Sequence, residues 1–487
     1  MSGPTMPRVA IIGSGFSGIA AAIALRKKGI EDFVIFEQAP ALGGTWWHNR
    51  YPGAEVDLES HIYSFSFERY DWTRTHAGWR ELQGYLNHVA NKWDLPRRIR
   101  FNEKVDDVAW SDIDKTYTVS TESGVDHGRF TAVISAVGFL NIPLIPPFAR
   151  EHNDFGGAIC HTSRWIDGLD MSGKKIGVVG TGSSAVQVVT EAERVGAEVK
   201  IFQIEPNWIL PKNSHDFTPA ERRLNRLAPV YAWRRLKLYL GYDLRQYRSS
   251  HARSTGWTNR RKHRAAAEYL RRELGDRPDL LELATPSFPF EGRRTVVSDT
   301  YYRSLRNPKV TLVPHAVKGL SRTGAVDANG DEHELDIIVL ATGFDAANYL
   351  GNYEVRGRGG AALHEQWQGE PEAFLGMMVP KFPNFFIMYG PNTNSIPLVS
   401  FYEAQAGFAA GLISRAANTG ATTIEVRRSA FVIYNDWVQA ALSKTVWAQV
   451  NNYFQAGSGR IVSQWPFGAT PYILATKLLR RIAVRLS

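Results

Sequence analysis

The chain has 487 residues, which is enough for two to four domains, and 44% of them are hydrophobic. No apolar run is long enough to cross a bilayer, and nothing before the first motif is typical of a signal peptide. The single cysteine, Cys160, excludes an internal disulfide and fits a reducing cytoplasm, while the 13 histidines show no metal-ligand spacing. These totals predict a cytoplasmic, multidomain protein without a metal site.

The net charge of +9 is unevenly spread along the chain. Residues 221–277 hold 16 Lys or Arg against 5 Asp or Glu, a local charge of +11, so the remainder carries −2. Such a segment attracts anions, among them nucleic acid, membranes and phosphorylated cofactors. A solvated basic helical face is the simpler interpretation, because no nucleic-acid-binding motif accompanies it. We therefore expect no nucleic-acid partner.

The first motif is a glycine fingerprint directly after a short apolar run. Val9–Ile12 is typical of a buried parallel strand, and a G-x-G-x-x-G turn and a helix follow it. In such a turn the backbone bends tightly and approaches a pyrophosphate at the helix N-terminus. A second apolar run ends at Glu37, where a carboxylate can hydrogen-bond a ribose hydroxyl. The predicted dinucleotide-binding residues are Gly13, Gly15, Phe16, Ser17, Gly18, Glu37 and Gln38.

Residues 43–57 are rich in Gly, Pro and aromatic side chains, which predicts a loop rather than a helix or strand. Aromatic rings can wall a flat ring system, so Gly44, Thr45 and Trp46 are candidate cofactor-binding residues. Asp57 is the notable charge, because a carboxylate buried beside such a ring needs a cationic partner. A surface loop with incidental aromatics is the alternative.

A linker and a histidine motif follow the first α/β segment. Prolines between residues 143 and 147 predict the linker, so we place the first domain at residues 1–145. The next segment has the pattern F-x-G-x-x-x-H-x-x-x-W and contains His161 and Trp165. On composition alone, a single histidine among aromatics is more often structural than catalytic.

A second glycine fingerprint repeats the opening pattern. Gly13 to Glu37 spans 24 residues and Gly180 to Glu205 spans 25, so two dinucleotide folds lie in one chain. Two nucleotide cofactors indicate electron transfer between them, most simply from a nicotinamide to a flavin. The predicted residues of the second site are Gly180, Thr181, Gly182, Ser183, Ser184, Gln187 and Glu205.

The remaining segments complete the predicted organisation. Residues 213–285 carry apolar residues at helical spacing amid many arginines, which predicts a helical insertion in a second domain at residues 146–345. Residues 346–487 mix strand and helix patterns, and we expect them to complete the first domain and to form a C-terminal region. The predicted fold class is α/β, with two Rossmann-like dinucleotide-binding domains and a helical insertion in the second.

The order of these motifs closely resembles that of the flavin-dependent Baeyer–Villiger monooxygenases, which are class B flavoprotein monooxygenases. The resemblance covers the two fingerprints, Gly-Gly-Thr-Trp with a later Asp, the His161/Trp165 motif and Ala-Thr-Gly-Phe, from Val9 to about Pro466. The related flavin-containing and N-hydroxylating monooxygenases usually carry Phe or Tyr at the position of Trp165, and they are the alternative.

The resemblance implies FAD at the first fingerprint and NADPH or NADH at the second. In the family, reduced flavin adds O₂ to form a C4a-peroxide, which inserts one oxygen atom beside a ketone carbonyl to give an ester or lactone. In sulfide oxidation the peroxide transfers its oxygen to the heteroatom instead. S- or N-oxygenation is therefore the alternative function, and a non-catalytic, redox-responsive flavoprotein is a third.

The resemblance also assigns individual residues. Arg294 matches the catalytic arginine of a segment shaped like Phe-x-x-Lys/Arg-Arg, and Arg293 stands where the family often has a cofactor-binding lysine. Asp57 matches an acid that lies near the flavin and tunes that arginine. Trp447 matches a tryptophan that approaches the nicotinamide ribose, and His161 matches a residue thought to support the geometry of the linker.

One departure from the family concerns the coenzyme. After the second dinucleotide strand the family has Gln-Arg-Thr/Ser-Pro, whose arginine grips the 2′-phosphate of NADPH, whereas this chain has Gln-Ile-Glu-Pro with Glu205. A carboxylate repels a phosphate but accepts a hydrogen bond from a free 2′-hydroxyl. Arg293 and Lys212 are candidates to compensate. Our hypothesis is that NADH is accepted comparably to NADPH.

The C-terminal segment Leu478–Leu486 carries basic residues and predicts a short amphipathic helix. Weak contact with an anionic membrane surface is one interpretation, and packing on the FAD domain is the simpler one. We expect the pocket for a ketone or sulfide substrate to include residues 394–401 and the helical insertion. Neither the particular substrate nor the oligomeric state follows from these motifs.

Overall fold

The computed structural model describes residues 6–150, 155–247 and 253–487, with residues 245–247 described by their backbone only. The strands are β1 Val9–Ile12, β2 Phe33–Glu37, β3 Ile99–Phe101, β4 Val105–Ser111, β5 Thr116–Thr121, β6 Arg129–Phe130, β7 Ala132–Ser135, β8 Ala158–His161, β9 Lys175–Val179, β10 Glu198–Phe202, β11 Ile209–Leu210, β12 Val296–Val297, β13 Val310–Val313, β14 Val317–Leu320, β15 Gly324–Asp327, β16 Glu332–Glu334, β17 Ile337–Leu340, β18 Glu354–Arg356, β19 Phe385–Ile387, β20 Ile424–Val426 and β21 Val484–Leu486. The helices are α1 Phe16–Arg26, α2 Thr45–His48, α3 Trp79–Lys92, α4 Pro147–Arg150, α5 Ser183–Arg194, α6 Pro219–Arg226, α7 Ala228–Tyr247, α8 Trp257–Leu274, α9 Pro278–Leu283, α10 Tyr301–Ser304, α11 Leu363–Trp367, α12 Leu398–Thr419, α13 Arg428–Leu442 and α14 Ala469–Leu479. Within these described ranges, every helix is too short or too polar to span a bilayer.

The first sheet is parallel and has the strand order β19-β7-β1-β2-β3. Its central strand β1 is buried at every position, as the middle strand of a sheet covered on both faces must be. Helix α1 leaves β1 through the first glycine turn and packs against α12. The edge strand β19 comes from the last third of the chain, so distant segments build one nucleotide-binding unit.

The second sheet repeats this design with the order β13-β10-β9-β17-β8, also parallel. Helix α5 leaves β9 through the second glycine turn, as α1 leaves β1. Helices α6 to α9 lie between β11 and β12, which pair with each other. Each sheet has its own large hydrophobic cluster, so each is the core of a separate unit. The domain boundaries predicted from the sequence stay a prediction.

Two local predictions are wrong. Residues 45–48 form the single-turn helix α2 within the predicted loop, because the amide groups of Trp47 and His48 both donate to the Gly44 carbonyl, at 3.0 Å each. The predicted helix Leu478–Leu486 is not formed as such, because α14 ends at Leu479 and residues 484–486 form β21. There the backbone groups pair with β20 in an antiparallel ladder instead of with a following helical turn.

Candidate active site

Two positions of the first glycine turn, Gly13 and Gly18, leave no room for a side chain. Gly13 has a φ of +100°, and a Cβ added to it would lie 2.8 Å from the carbonyl oxygen of Ala136. A Cβ on Gly18 would lie 1.9 Å from the Gly13 oxygen, so α1 crosses the turn in direct backbone contact. Gly15 faces Gly44, whose Cα would be 3.4 Å from an added Cβ. The turn therefore presents bare backbone at the N-terminus of α1, as a pyrophosphate site requires.

Glu37 ends β2 beside this turn and is held in place by its neighbours. Its carboxylate accepts hydrogen bonds from the Ser14 amide at 2.9 Å and the Ser14 hydroxyl at 2.7 Å, and from the Ala39 amide at 2.9 Å. The side chain is buried, and a carboxylate has about four acceptor positions, so capacity remains for one ribose hydroxyl.

An elongated cavity of about 270 Å³ extends from this turn toward the second sheet. Nine of the predicted FAD residues line it, namely Gly13, Gly15, Phe16, Ser17, Glu37, Gln38, Gly44, Thr45 and Trp46. Gly18 lies behind them, where α1 contacts the turn. Phe344, Tyr353 and Tyr402 complete the wall from other parts of the chain. The bare turn, the anchored carboxylate and the aromatic wall fit an adenine dinucleotide joined to a flat ring system.

The second glycine turn has the same construction. Gly180 has a φ of +119°, and an added Cβ would lie 2.5 Å from the Ala341 carbonyl oxygen. Gly182 is the N-cap of α5 and Ser183 is its first residue. Thr181 donates its hydroxyl to the Glu205 carbonyl at 2.9 Å, which ties the turn to the end of β10.

The loop that follows the first turn reaches across to α5. The hydroxyl of Tyr51 lies 3.0 Å from the Ser184 hydroxyl and donates to Gln187 at 2.7 Å. Gln187 in turn donates to the Glu55 carbonyl at 3.1 Å. The loop that follows the first turn is thus joined by direct hydrogen bonds to predicted residues of the second nucleotide site.

Arg294 and Asp57 form an ion pair at this junction. The Nη2 atom of Arg294 lies 2.6 Å from Oδ2 of Asp57, and the Ser183 hydroxyl donates to the same oxygen at 3.3 Å. Burial by itself lowers the pKa of Arg294, but the charge of Asp57 and the hydrogen bonds to Asp57 and Tyr453 offset it and raise the pKa overall. The arginine is therefore a permanent cation, with its side chain half exposed between the two nucleotide sites.

Tyr453 is a site residue that the sequence motifs did not predict. Its hydroxyl is hydrogen-bonded to Arg294, and burial raises its pKa although the nearby arginine lowers it. The predicted Trp447 is buried and packs edge-on against Phe454, with ring centroids 6.1 Å apart. No recognised motif contains Tyr453, so only the folded chain could reveal it.

His161 contacts the segment after β17, where the Gly343 carbonyl also accepts a hydrogen bond from the Leu144 amide of the linker, at 2.9 Å. Its Nε2 lies 3.0 Å from the Gly343 carbonyl oxygen, and its Nδ1 lies 2.8 Å from the Ser163 hydroxyl. Burial lowers its pKa to about 4, so the ring is neutral at physiological pH. Trp165 of the same motif packs against Tyr51, with centroids 6.5 Å apart. The motif therefore holds the end of β8 against the segment after β17 and against the loop that carries Tyr51.

Glu205, which follows β10, has two side-chain partners. Its carboxylate forms an ion pair with Arg293 at 2.8 Å, and it accepts a hydrogen bond from the Ser287 hydroxyl. The Nε atom of Arg293 is buried and has no acceptor among the described residues. Lys212, the other candidate to bind a 2′-phosphate, is buried and pairs with Glu55 at 2.6 Å. The guanidinium of Arg293 has five N–H donors, so groups other than the one that faces Glu205 could donate to an anionic group of a nucleotide.

The fold and these two linked sites define an oxidoreductase that uses two nucleotide cofactors. Residues 10–288 match the family model described as pyridine nucleotide-disulphide oxidoreductase. The chain is 34% identical to an FAD-binding monooxygenase of Aspergillus niger, over 96% of this chain and 80% of the relative. It is 33% identical to a Baeyer-Villiger monooxygenase of Pseudomonas aeruginosa, over 94% of this chain and 87% of the relative.

A solved structure of an oxidized steroid monooxygenase bound to NADP superposes with a TM-score of 0.89 at 28% identity, covering 99% of both chains. The chain belongs to the Baeyer–Villiger monooxygenase family. The family, the α/β fold class with two dinucleotide-binding domains, and the enzyme class predicted from the sequence are confirmed.

Proposed function

We propose that the protein uses FAD and NADPH to insert one oxygen atom of O₂ next to a ketone carbonyl, giving an ester or lactone. The β1–α1 turn, Glu37 and the cavity wall around Trp46 would hold FAD, and the β9–α5 turn with Arg293 would hold the nicotinamide coenzyme. When bound, these groups supply the hydride, the redox chemistry and the activation of O₂. The protein's own residues supply binding, orientation and charge.

The ion pair of Arg294 with Asp57 carries this proposal. A fixed guanidinium stabilises negative charge that develops on a reacting oxygen, and it does so best where water is partly excluded. Asp57 and Tyr453 hold the guanidinium in one orientation, so that it needs no rearrangement during the reaction. Because Asp57 also accepts from Ser183, this cation lies where the two nucleotide sites meet.

Aromatic side chains shape the space next to Arg294. The Trp46 indole nitrogen donates to the Tyr63 hydroxyl at 3.3 Å, and their rings pack edge-to-face at 5.7 Å. Burial raises the pKa of Tyr63 to about 12, so its hydroxyl stays neutral and does not compete for the charge of Arg294. Tyr389 and Tyr402 pack against each other at 4.9 Å on the last third of the chain. An apolar ketone suits such a pocket.

The coenzyme site supports a finer proposal, that NADH is used comparably to NADPH. Glu205 occupies the position after the second Rossmann strand from which a carboxylate accepts a ribose 2′-hydroxyl. Its ion pair with Arg293 lowers the cost of its charge but also engages the arginine that a 2′-phosphate would need. The other N–H groups of the Arg293 guanidinium leave some capacity for a phosphate, so neither coenzyme is excluded.

Product identification tests the proposed reaction. The purified holoenzyme is incubated with ¹⁸O₂, either coenzyme, and a panel of ketones and sulfides, and the products are identified by mass spectrometry. The proposal expects an ester or lactone that carries one ¹⁸O atom, formed in proportion to the coenzyme oxidised. Sulfoxide without any ester would favour heteroatom oxygenation, and hydrogen peroxide alone would contradict both oxygenation reactions.

A further inference from the structure

Helix α7 carries a row of exposed apolar side chains on one face. Trp233 is 67% exposed, and Leu236, Leu240 and Leu244 are each about half exposed, at spacings of three and four residues. The opposite face anchors the helix, since Arg235 donates to the His61 carbonyl at 2.6 Å. The row therefore faces away from the protein, and nothing in the described chain covers it.

Helix α14 presents a second row of the same kind. Tyr472 and Thr476 are buried on its inner face, whereas Leu474, Leu478 and the nearby Ile482 are 51%, 68% and 68% exposed. The sequence favoured packing of the C-terminal segment on the FAD domain over contact with a membrane. That packing accounts only for the inner face of α14. Its outer face is as apolar as that of α7.

The two helices touch where α14 begins. The Tyr239 hydroxyl lies 2.9 Å from the Thr470 hydroxyl, and Asp243 accepts a hydrogen bond from the Thr470 amide at 3.1 Å. Both rows thus belong to neighbouring helices. We call these seven side chains the apolar patch, namely Trp233, Leu236, Leu240, Leu244, Leu474, Leu478 and Ile482.

The exposed charges on α7 and on residues 469–487 are of one sign. The sequence of α7 contains a single acid, Asp243, which is buried, and residues 469–487 contain none. Lys237, Lys477 and Arg481 are exposed on the same two segments. Exposed apolar side chains grouped on neighbouring helices indicate a protein or membrane interaction site, whereas isolated ones do not. A partner that fits these observations has a negatively charged surface and an apolar interior beneath it.

We propose that the apolar patch docks the enzyme on the surface of an anionic lipid bilayer. Its leucines and Trp233 enter the headgroup boundary, and its lysines and arginine contact lipid phosphates. A second copy of the chain fits less well, because a two-fold interface would bring equal positive charges together. The proposal does not depend on the oxygenation reaction, and either could fail without the other.

Vesicle sedimentation of the holoenzyme tests this proposal. Vesicles of phosphatidylcholine, alone or mixed with phosphatidylglycerol, are compared at low and high salt. Binding is expected only to the anionic vesicles at low salt. The double variant Trp233→Ser/Leu240→Ser should lower the partition coefficient by about tenfold or more, and Lys237→Gln by about fivefold. Equal binding of the double variant and the wild type would contradict the proposal, as would no binding to anionic vesicles.

Matched controls lie on a distant hairpin. Ile113, which is 92% exposed, and Lys115 lie between β4 and β5, so Ile113→Ser and Lys115→Gln remove the same kinds of group elsewhere. These controls should bind vesicles like the wild type. Flavin content and the thermal midpoint check that every variant is folded. A lipid-free dimer that Trp233→Ser/Leu240→Ser splits into monomers, measured by light scattering, would assign the patch to a second copy and overturn the proposal.

Discussion

Glu205→Gln is the substitution with the clearest effect on the choice of coenzyme. In the structure this carboxylate holds Arg293 at 2.8 Å and accepts from Ser287. The amide keeps the shape and a hydrogen-bond acceptor for the Ser287 hydroxyl, but it removes the negative charge. It also frees the N–H group of Arg293 that faces Glu205, which can then donate to a 2′-phosphate. The substitution should therefore favour NADPH over NADH.

The size of the effect follows from the partial exposure of this pair. The side chains of Glu205 and Arg293 are 21% and 37% exposed, so solvent screens the site in part. At an effective dielectric constant of about 40, two unit charges about 5 Å apart interact by about 1.7 kcal/mol. A phosphate monoester carries a charge of about −1.5 to −2 at pH 7. Removing the repulsion then gives about 2.5 to 3.3 kcal/mol, or about 60- to 230-fold in the preference for NADPH.

Steady-state oxidation of both coenzymes measures this preference as a ratio of kcat/KM values. The wild type is expected to differ by less than about tenfold between NADPH and NADH, and Glu205→Gln to shift the ratio toward NADPH by the amount above. Dissociation constants of NADP⁺ and NAD⁺, measured by perturbation of the flavin spectrum, report binding without turnover. Glu198→Gln is the matched control, because Glu198 is exposed at the opposite end of β10.

Two results would refute this reasoning. A wild-type enzyme that prefers NADPH by a hundredfold would show that Glu205 does not oppose the phosphate. An unchanged ratio in Glu205→Gln, or a change as large in Glu198→Gln, would show that the carboxylate does not act at the 2′-position.

Three further predictions concern other groups. Gly180→Ala should destabilise the fold by about 1 to 3 kcal/mol and weaken NADP⁺ binding while FAD is retained, because its Cβ meets the Ala341 carbonyl oxygen. Thermal unfolding measures the stability, titration with NADP⁺ the binding, and flavin content the retention of FAD. Since burial lowers the pKa of His161 to about 4 from 6.5, its neutral form contributes stability above pH 6.5 that is lost as the pH falls toward 4. From pH 8 to pH 5 the wild type should therefore lose about 2 kcal/mol more than His161→Gln in chemical denaturation, and an equal loss would contradict this assignment. Cys160 is buried and its pKa is raised to about 11, so a thiol reagent at pH 8 should label it only after unfolding; rapid labelling of the native protein would contradict its burial.

The two nucleotide-binding turns were predictable because their signals are local. Gly13 and Gly180 both adopt positive φ and both lie against a neighbouring backbone carbonyl, so their spacing directly reflects the geometry of the turn. The position of Glu37 was predictable in the same way, because it ends the next strand, β2. The order of these motifs was enough to predict the α/β fold class, since a parallel sheet restricts how strands can be connected.

Contacts between distant segments could not be derived from spacing. Arg294 and Asp57 are 237 residues apart, and among the features of the sequence only the resemblance to a family connects them. Tyr453 had no such aid, because its contact with Arg294 depends on how the C-terminal segment folds over the second sheet. The charges of Glu205 and Arg293 in the sequence do not show whether the two side chains meet. The structure shows that they form an ion pair, so the arginine is already bound to a carboxylate.

The central claim is that Arg294 acts on the oxygenation step and not on cofactor binding. The most direct measurement is the ratio of ester formed to hydrogen peroxide released per NADPH oxidised, in Arg294→Ala and in the matched control Arg303→Ala, whose side chain is 68% exposed. The account predicts that Arg294→Ala retains FAD and still oxidises NADPH, but forms at least about a hundredfold less ester, whereas Arg303→Ala behaves like the wild type. Ester formation by Arg294→Ala at the wild-type ratio would contradict the account.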